Sequence, residues 1–299
     1  MQRTFELQGH RGARALFPEN TLPGFVATLA IGVDGLELDV AITADGVPVV
    51  CHNVDLDPDV TRGPDGAWLS APYPLVRSLT LAELRGYDVG RIKPGSPTAG
   101  RFPDQHPIDG TPIPTLAEVF ATTGTAVIQA ELKTVPTRPE ATVAPSVMAD
   151  LVMACATACN ALGRLDIRSF DFRGLRHMHA TYPDIPLTYL TGPNSLAQPA
   201  LFWDGVTAEA FGGSVPRVIA HEAAGRRATW APHLATFTAD DVRTAQSLGL
   251  RVMPWTVNEP ADMARFIAWG VDGLCTDRPD LALGVMADAG LDLPQPATT

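Results

Sequence analysis

The sequence predicts a (β/α)8 TIM barrel, an α/β fold, on three observations. Short β-rich runs alternate with helical runs, eight such strand–helix units can be counted, and 299 residues hold one barrel of typical size, about 250 residues. An open doubly wound sheet is the competing arrangement, but no glycine-rich dinucleotide fingerprint supports it.

Each element has its own signal. Residues 5–10 read as the first strand. Residues 22–31 carry helical spacing and end at Gly32, where a helix C-cap belongs. Residues 35–40 form the second strand. A helix at 116–122 precedes the third strand, at 126–132. Then follow a helix at 144–162, a strand at 165–170, a helix at 172–180 and a strand at 186–190. A weaker helical stretch covers 196–211, before a strand at 228–231. The closing part repeats the theme: helix 239–247, strand 250–256, helix 260–269, strand 273–276 and helix 280–289. Two places break the rhythm. At 43–52 a hairpin return is expected, with Asp45-Gly46 as a two-residue turn that sets Asp39 opposite His52. Residues 53–113 are rich in Pro and Gly, with one clear helix at 80–85. The whole chain, 1–299, is therefore read as a single barrel domain with an insertion at about 53–113, between the second strand and second helix. The terminal 293–299 is expected to fray.

Composition narrows the function classes. With 22 Lys+Arg against 33 Asp+Glu the formal net charge is −11, which repels phosphate backbones and argues against nucleic acid as a partner. The four cysteines lack zinc-type spacing; Cys155 and Cys159 share one helix face and read as packing residues. So few cysteines imply no disulfide framework and fit a reducing compartment. No signal peptide precedes the first strand and no apolar run of about 18 residues is apparent, so no transmembrane segment and a cytoplasmic location are expected. Nothing in the sequence fixes an oligomeric state.

A barrel of this kind places its chemistry where the strands end. Polar residues at those ends are His10, Arg11, Glu37, Asp39, Glu131, Lys133, Ser169, Asp171, Trp255, Thr276 and Asp277, with His52 added by the hairpin. Glu37 and Asp39 are two apart on a strand, so they share a face. Two adjacent carboxylates need a cation or a proton. Glu131 supplies a third, and three carboxylates without a thiolate suit Mg²⁺ or Ca²⁺. Taken singly, each carboxylate also fits a solvated rim position, His10 a packing histidine, and Arg11 and Lys133 simple charge balance. His106, His177, His179, His221 and His233 have no partner motif.

An ordered series of motifs carries more weight. Gly9-His10-Arg11-Gly12-Ala13, Pro18-Glu19-Asn20-Thr21, Glu37-Leu38-Asp39-Val40, Thr43-Ala44-Asp45-Gly46 and Val49-Val50-Cys51-His52 come first. Leu79 to Leu84, Ile113 to Leu116 and Glu131-Leu132-Lys133 follow. Pro254-Trp255-Thr256-Val257-Asn258 and Gly270 to Pro279 close the series. In this order the chain resembles the glycerophosphodiester phosphodiesterases over residues 9–279. The resemblance implies a metal-dependent hydrolase, active in lipid and glycerol metabolism, that splits a small glycerophosphodiester into an alcohol and glycerol 3-phosphate. It implies His10 and His52 as acid and base, and Glu37, Asp39 and Glu131 as ligands of Mg²⁺ or Ca²⁺, with Mn²⁺ a substitute. It implies phosphate contacts at Arg11 and Lys133 and substrate contact at Trp255.

One departure stands out: the family reads His-Asp at the hairpin end, and this chain reads His52-Asn53. The stretch 87–109 is also longer than small family members have. Arg91, Lys93 and Arg101 there either meet a head group or are solvated. Two other functions stay open on the sequence alone. One is lysophospholipase D activity, with Trp68, Tyr73, Leu75, Tyr87 and Phe102 as an acyl channel. The other is phosphodiester binding without turnover.

Overall fold

The computed structural model describes residues 5–296; the outermost parts of both expected termini, 1–4 and 297–299, lie outside the described residues. Eight parallel strands curl into a nearly closed barrel, with helices between them. In chain order the elements of the first half are β1 (Glu6–His10), α1 (Leu22–Ile31), β2 (Gly35–Ile42), β3 (Pro48–Val50), α2 (Leu81–Leu84), α3 (Pro97–Arg101), α4 (Leu116–Thr122), β4 (Val127–Leu132) and α5 (Pro145–Ala158). The second half holds β5 (Leu165–Ser169), α6 (Phe172–Thr181), β6 (Leu187–Thr191), α7 (Pro193–Ala197), α8 (Pro199–Phe202), α9 (Val215–Ala223), β7 (Ala228–Pro232), α10 (Ala239–Ser247), β8 (Arg251–Val252), α11 (Pro260–Trp269), β9 (Gly273–Thr276) and α12 (Pro279–Asp288). The strands run β8-β7-β6-β5-β4-β2-β1-β9, and β3 pairs antiparallel with β2. Backbone bonds close the ring between the β8 and β9 segments: Asp272 N donates to Val252 O at 2.9 Å and Cys275 N to Pro254 O at 3.1 Å.

The apolar core lies between sheet and helices. Leu7, Leu36, Leu38, Val40, Ile128 and Ile167 are buried there with Phe25, Leu116, Val152 and Leu175 from the helices. The opposite faces of the same strands fill the lumen with polar side chains. Arg168 on β5 donates to Gln8 on β1 at 3.0 Å and to Gln129 on β4 at 2.6 Å. Strands β1 and β5 are not neighbours, so this contact crosses the barrel interior. Such a buried cation is tolerated because its Nη2 finds two amide acceptors and its Nη1 lies 4.0 Å from the Glu37 carboxylate, although its Nε finds no partner among the described residues.

Local chemistry sets the element ends. Thr21 caps α1 by accepting from Gly24 N, and Gly32 follows with φ 105°. Capping boxes open α4 (Thr115, Glu118) and α10 (Thr238, Asp241). Gly9 is required by close approach: a Cβ there would stand 2.6 Å from Thr28 Cγ2 and 2.7 Å from Gly12 O.

Several expectations need correction. The hairpin loop has three residues, not two. Thr43 N donates to Val47 O at 3.1 Å, and Gly46 takes φ 80°, the glycine position of a three-residue loop. The register moves by one, so Cys51, not His52, lies opposite Asp39. The helix expected over 196–211 is broken into α7, α8 and a 3-10 turn by Pro199 and Gly205. The amphipathic helix of that unit is α9, where Pro216 sits in the first turn and opens the helix rather than ending it. Strand 250–256 is reduced to Arg251–Val252, because Pro254 has no N–H to continue a ladder. Helix α5 stops at Ala158, short of 162. A further short helix, α3, lies within 53–113. By length and composition alone the stretch Pro139–Ala158 could span a membrane; here α5 buries Met148, Ala149, Val152 and Met153. Pro294 is buried in the terminal segment expected to fray, and its carbonyl lies 3.0 Å from where a Cβ on Gly32 would stand.

Residues 53–113 leave the barrel after β3 and build a second small core from Leu56, Val76, Leu84 and Ile113 with Ala41 and Val49. Its polar frame is Asp88, which accepts from Gly90 N and Thr111 N and pairs with Arg62.

Candidate active site

Strand register brings the carboxylates together. His10 on β1 lies beside Glu37 on β2, and Asp39 lies beside Glu131 on β4. One ligand oxygen from each of Glu37, Asp39 and Glu131 falls within 4.8 Å of the others, and all three residues are buried. Burial pushes the Glu37 and Glu131 carboxyls up, and the Asp39 charge pushes Glu37 further. Burial also disfavours ionised Asp39, but His52, Arg11 and Lys133 together hold it well below the usual carboxylate range. Three hard oxygen donors in so small a space could hold a metal ion.

Among the described residues, three cations stand against this triad: Arg168, whose Nη1 is 4.0 Å from Glu37 Oε1, and the sequence-predicted pair Lys133 and Arg11. Lys133 Nζ is 2.8 Å from Glu131 Oε1 and 3.4 Å from Asp39 Oδ1. Arg11 Nε is 3.2 Å from Asp39 Oδ2, and its Nη1 reaches Glu19 at 3.1 Å. The Arg11 backbone takes φ 52°, a left-handed conformation that costs about 1 kcal/mol or more in a non-glycine residue. That bend turns its N–H onto Glu37 Oε2 at 3.0 Å. Lys133 and Arg11 both balance carboxylates in this structure, as the simpler sequence reading allows.

The two imidazoles are held in different ways. His10 Nδ1 is 2.6 Å from Asp277 Oδ1, and its Nε2 is 3.8 Å from Glu37 Oε2. Asp277 also accepts from Arg14 Nε at 2.8 Å and Asn258 Nδ2 at 2.8 Å. Burial disfavours the Asp277 charge, but His10 and Arg14 hold its carboxyl well below the usual range. An ionised carboxylate only accepts, so Nδ1 of His10 carries the proton and Nε2 faces the triad. Burial pushes the His10 pKa down to about 4, against the pull of Asp277. His52 lies two residues past β3, its Nδ1 2.5 Å from Asn53 Oδ1. Burial and the charges of Arg11 and Lys133 push its pKa well below 6.5.

Trp255 has partners of its own. It forms an aromatic cluster with Phe170 (5.4 Å between centroids) and His233 (5.1 Å), and its Nε1 donates to Ala231 O. Gly192 at the end of β6 leaves room for it: a Cβ there would lie 3.2 Å from Trp255 Cζ2. The sequence reading assigned no role to Asp277, Arg14, Asn258, Asn20 and Asp57. Asn20 Nδ2 donates to Asp39 Oδ2 at 2.9 Å. Asn20, Asn258 and Asp277 all lie inside the quoted motifs, which was the available signal.

The comparisons agree with this geometry. The model of the glycerophosphoryl diester phosphodiesterase family matches residues 10–281. A glycerophosphodiester phosphodiesterase of Caldanaerobacter subterraneus subsp. tengcongensis is 30% identical over 286 residues, covering 94% of this chain and 97% of the relative. Among solved structures, a provisionally named glycerophosphoryl diester phosphodiesterase of Silicibacter pomeroyi superposes with TM-score 0.87 and 36% identity, over 98% of this chain and 96% of that one. An Oleispira antarctica phosphodiesterase, solved in complex with the product sn-glycerol-3-phosphate, shares the fold with TM-score 0.66 at 20% identity, over 94% and 96% of the two chains. With the triad gathered on β2 and β4 and this match over nearly its whole length, the chain belongs to the glycerophosphoryl diester phosphodiesterase family, whose members are phosphoric diester hydrolases.

Proposed function

We propose that the chain hydrolyses glycerophosphodiesters to an alcohol and glycerol 3-phosphate by two-histidine acid–base catalysis. The observation that carries this is the convergence of Glu37, Asp39 and Glu131 beside two imidazoles with oriented Nδ1 atoms. Those carboxylates would hold Mg²⁺ or Ca²⁺, with Mn²⁺ as a substitute; when bound, the cation neutralises the phosphodiester and polarises its phosphorus. Arg11 and Lys133 turn their remaining N–H groups to the phosphoryl oxygens. Trp255, in T-shaped contact with Phe170, would supply apolar surface to the glycerol carbons.

The backing of each histidine sorts the roles. Asp277 stabilises an imidazolium, so His10 is the general acid that protonates the leaving alcohol. Asn53 is neutral, so His52 stays the neutral base that takes the proton of the attacking water, or of a glycerol hydroxyl whose cyclic phosphate product water then opens. Burial keeps both rings neutral in the free site. The incoming phosphodiester anion returns negative charge and favours the proton on His10, where Asp277 already stands.

Three of the five apolar residues considered for an acyl channel are engaged in packing, which favours a small, water-soluble substrate; Tyr73 is exposed and Leu75 lines a separate surface cavity. Phe102 packs under the Arg14 guanidinium at 4.8 Å, Trp68 packs on Arg62 at 5.7 Å, and Tyr87 joins the second core. That the Oleispira relative binds glycerol 3-phosphate supports the same product here. We read 1–299 as one barrel domain with 53–113 inserted. The four free cysteines are in keeping with a cytoplasmic location.

The test is an assay of glycerophosphocholine, glycerophosphoethanolamine and lysophosphatidylcholine with Mg²⁺, Mn²⁺ and Ca²⁺. Turnover of the first two is expected, with complete loss in EDTA and recovery on adding the cation back. His10→Ala and His52→Ala should each lower kcat by at least about 10²-fold. Full activity in excess EDTA refutes the metal. A flat progress curve despite substrate binding supports the non-catalytic reading.

A further inference from the structure

We infer that Asp57 is a positioning residue for His52: its carboxylate fixes the orientation of the Asn53 amide and, through it, the tautomer of the imidazole. The inference rests on the assignment of His52 as general base made above. It starts from an ambiguity that Asn53 cannot resolve alone. A side-chain amide has one accepting end and one donating end of nearly equal shape. With oxygen toward His52, Nδ1 must carry the proton, and Nε2 keeps the lone pair that a base needs. With nitrogen toward His52, Nδ1 must accept, the proton sits on Nε2, and the ring cannot take another there. A carboxylate at position 53 would accept through either oxygen and face no such choice.

Asp57 makes the choice. Its Oδ2 accepts from Asn53 Nδ2 at 2.9 Å, and its Oδ1 accepts from Asp59 N at 2.9 Å. With both oxygens accepting, this group offers no donor to the Asn53 oxygen. The amide nitrogen is therefore tied to Asp57, and the oxygen is left for His52 Nδ1 at 2.5 Å. His52, Asn53, Asp57 and Asp59 belong to one loop directly after β3, so the chain of bonds is built locally. Asp57 touches neither the carboxylate triad nor the imidazole in this chain of contacts; it acts through Asn53.

The test is made on the full chain loaded with Mg²⁺. Long-range ¹H–¹⁵N spectra report which ring nitrogen of His52 is protonated, with His52→Gln used to identify its signals. The wild-type protein should show the Nδ1–H tautomer. Asp57→Ala should mix in the Nε2–H form and lower kcat by about 10-fold, with KM moved less than about 2-fold, because a bond in series with the base is lost. Asn53→Asp combined with Asp57→Ala should restore both the tautomer and kcat to within about 3-fold of wild type, since the new carboxylate accepts in either orientation. A residue that merely supports the loop gives no such rescue. The inference fails if wild-type His52 is Nε2–H, if Asp57→Ala keeps wild-type kcat and tautomer, or if the double variant is no better than Asp57→Ala. The wild-type spectrum decides the tautomer even where Asp57→Ala does not fold. A wild-type protein that shows Nδ1–H but turns over no glycerophosphodiester refutes the hydrolase reading and leaves the bond chain standing.

Discussion

His10 and His52 reach the same rim of the barrel by opposite routes. His10 is anchored by Asp277, which lies 267 residues away and follows the last strand. His52 is anchored by its neighbour Asn53, on a loop. The first anchor is a buried carboxylate also bound by Arg14 and Asn258; the second is a half-buried neutral amide. Both leave Nδ1 protonated and Nε2 free, so the tautomer is the same and the electrostatics differ. Charge-assisted bonds are roughly twice as strong as neutral ones. The difference teaches that acid and base can be distinguished by what stands behind each ring, not by the rings themselves. It also ties the His10 side to barrel closure and frees the His52 side from it.

The largest expected effect falls on the His10 side. Asp277→Ala leaves His10 without its carboxylate and leaves half-buried Arg14 with Glu19, at 3.8 Å; breaking a largely buried pair this way costs about 3 kcal/mol, the low end for buried pairs. Urea unfolding measures it, and a loss below about 1 kcal/mol would show that the charged anchor is no stronger than a surface pair. A pH effect of similar size comes from the ring itself. Burial sets the folded pKa of His10 at about 4, below the unfolded value of 6.5. The unfolded chain then binds more protons between those values. This stability is complete above about pH 6.5 and is lost as pH falls toward 4, by about 3 kcal/mol in all. In metal-free protein His10→Gln should remove that part of the slope; an unchanged slope between pH 4 and 6.5 would mean the ring is not desolvated.

This contrast was only half legible in the sequence. The parallel strands announced themselves because their outward faces are apolar, and the lumen carboxylates followed from period two at Glu37 and Asp39. Helix α9 was hidden because Pro216 looks like a breaker and is an opener. The hairpin register was misplaced by one residue because a two-residue turn and a three-residue loop share the same Asp-Gly signal, and only the bond from Thr43 N to Val47 O separates them. Asp277 was visible as a strand-end residue, but nothing local says that β9 lies beside β1, so its bond to His10 is a product of closure. Asn53 was visible as a departure, but nothing pointed to Asp57 behind it, because spacing along a loop does not say which way an amide faces.

The smallest effect belongs to the His52 side and checks the comparison most directly. Asn53→Ala removes one neutral acceptor from His52 Nδ1 and one donor from Asp57. Both groups are half-buried, so water can reach the freed positions. A neutral bond replaced by solvent costs about 1 kcal/mol, well short of the loss at Asp277. The same denaturation experiment reads both variants, and the ratio matters more than either value. If Asn53→Ala unfolds as easily as Asp277→Ala, the loop anchor is as rigid as the barrel anchor, and the two histidines cannot be told apart by the stiffness of their supports. If it costs little while kcat still falls, stability and base orientation are separable at this loop. The amide then matters for where the His52 proton sits, and the fold stands without it.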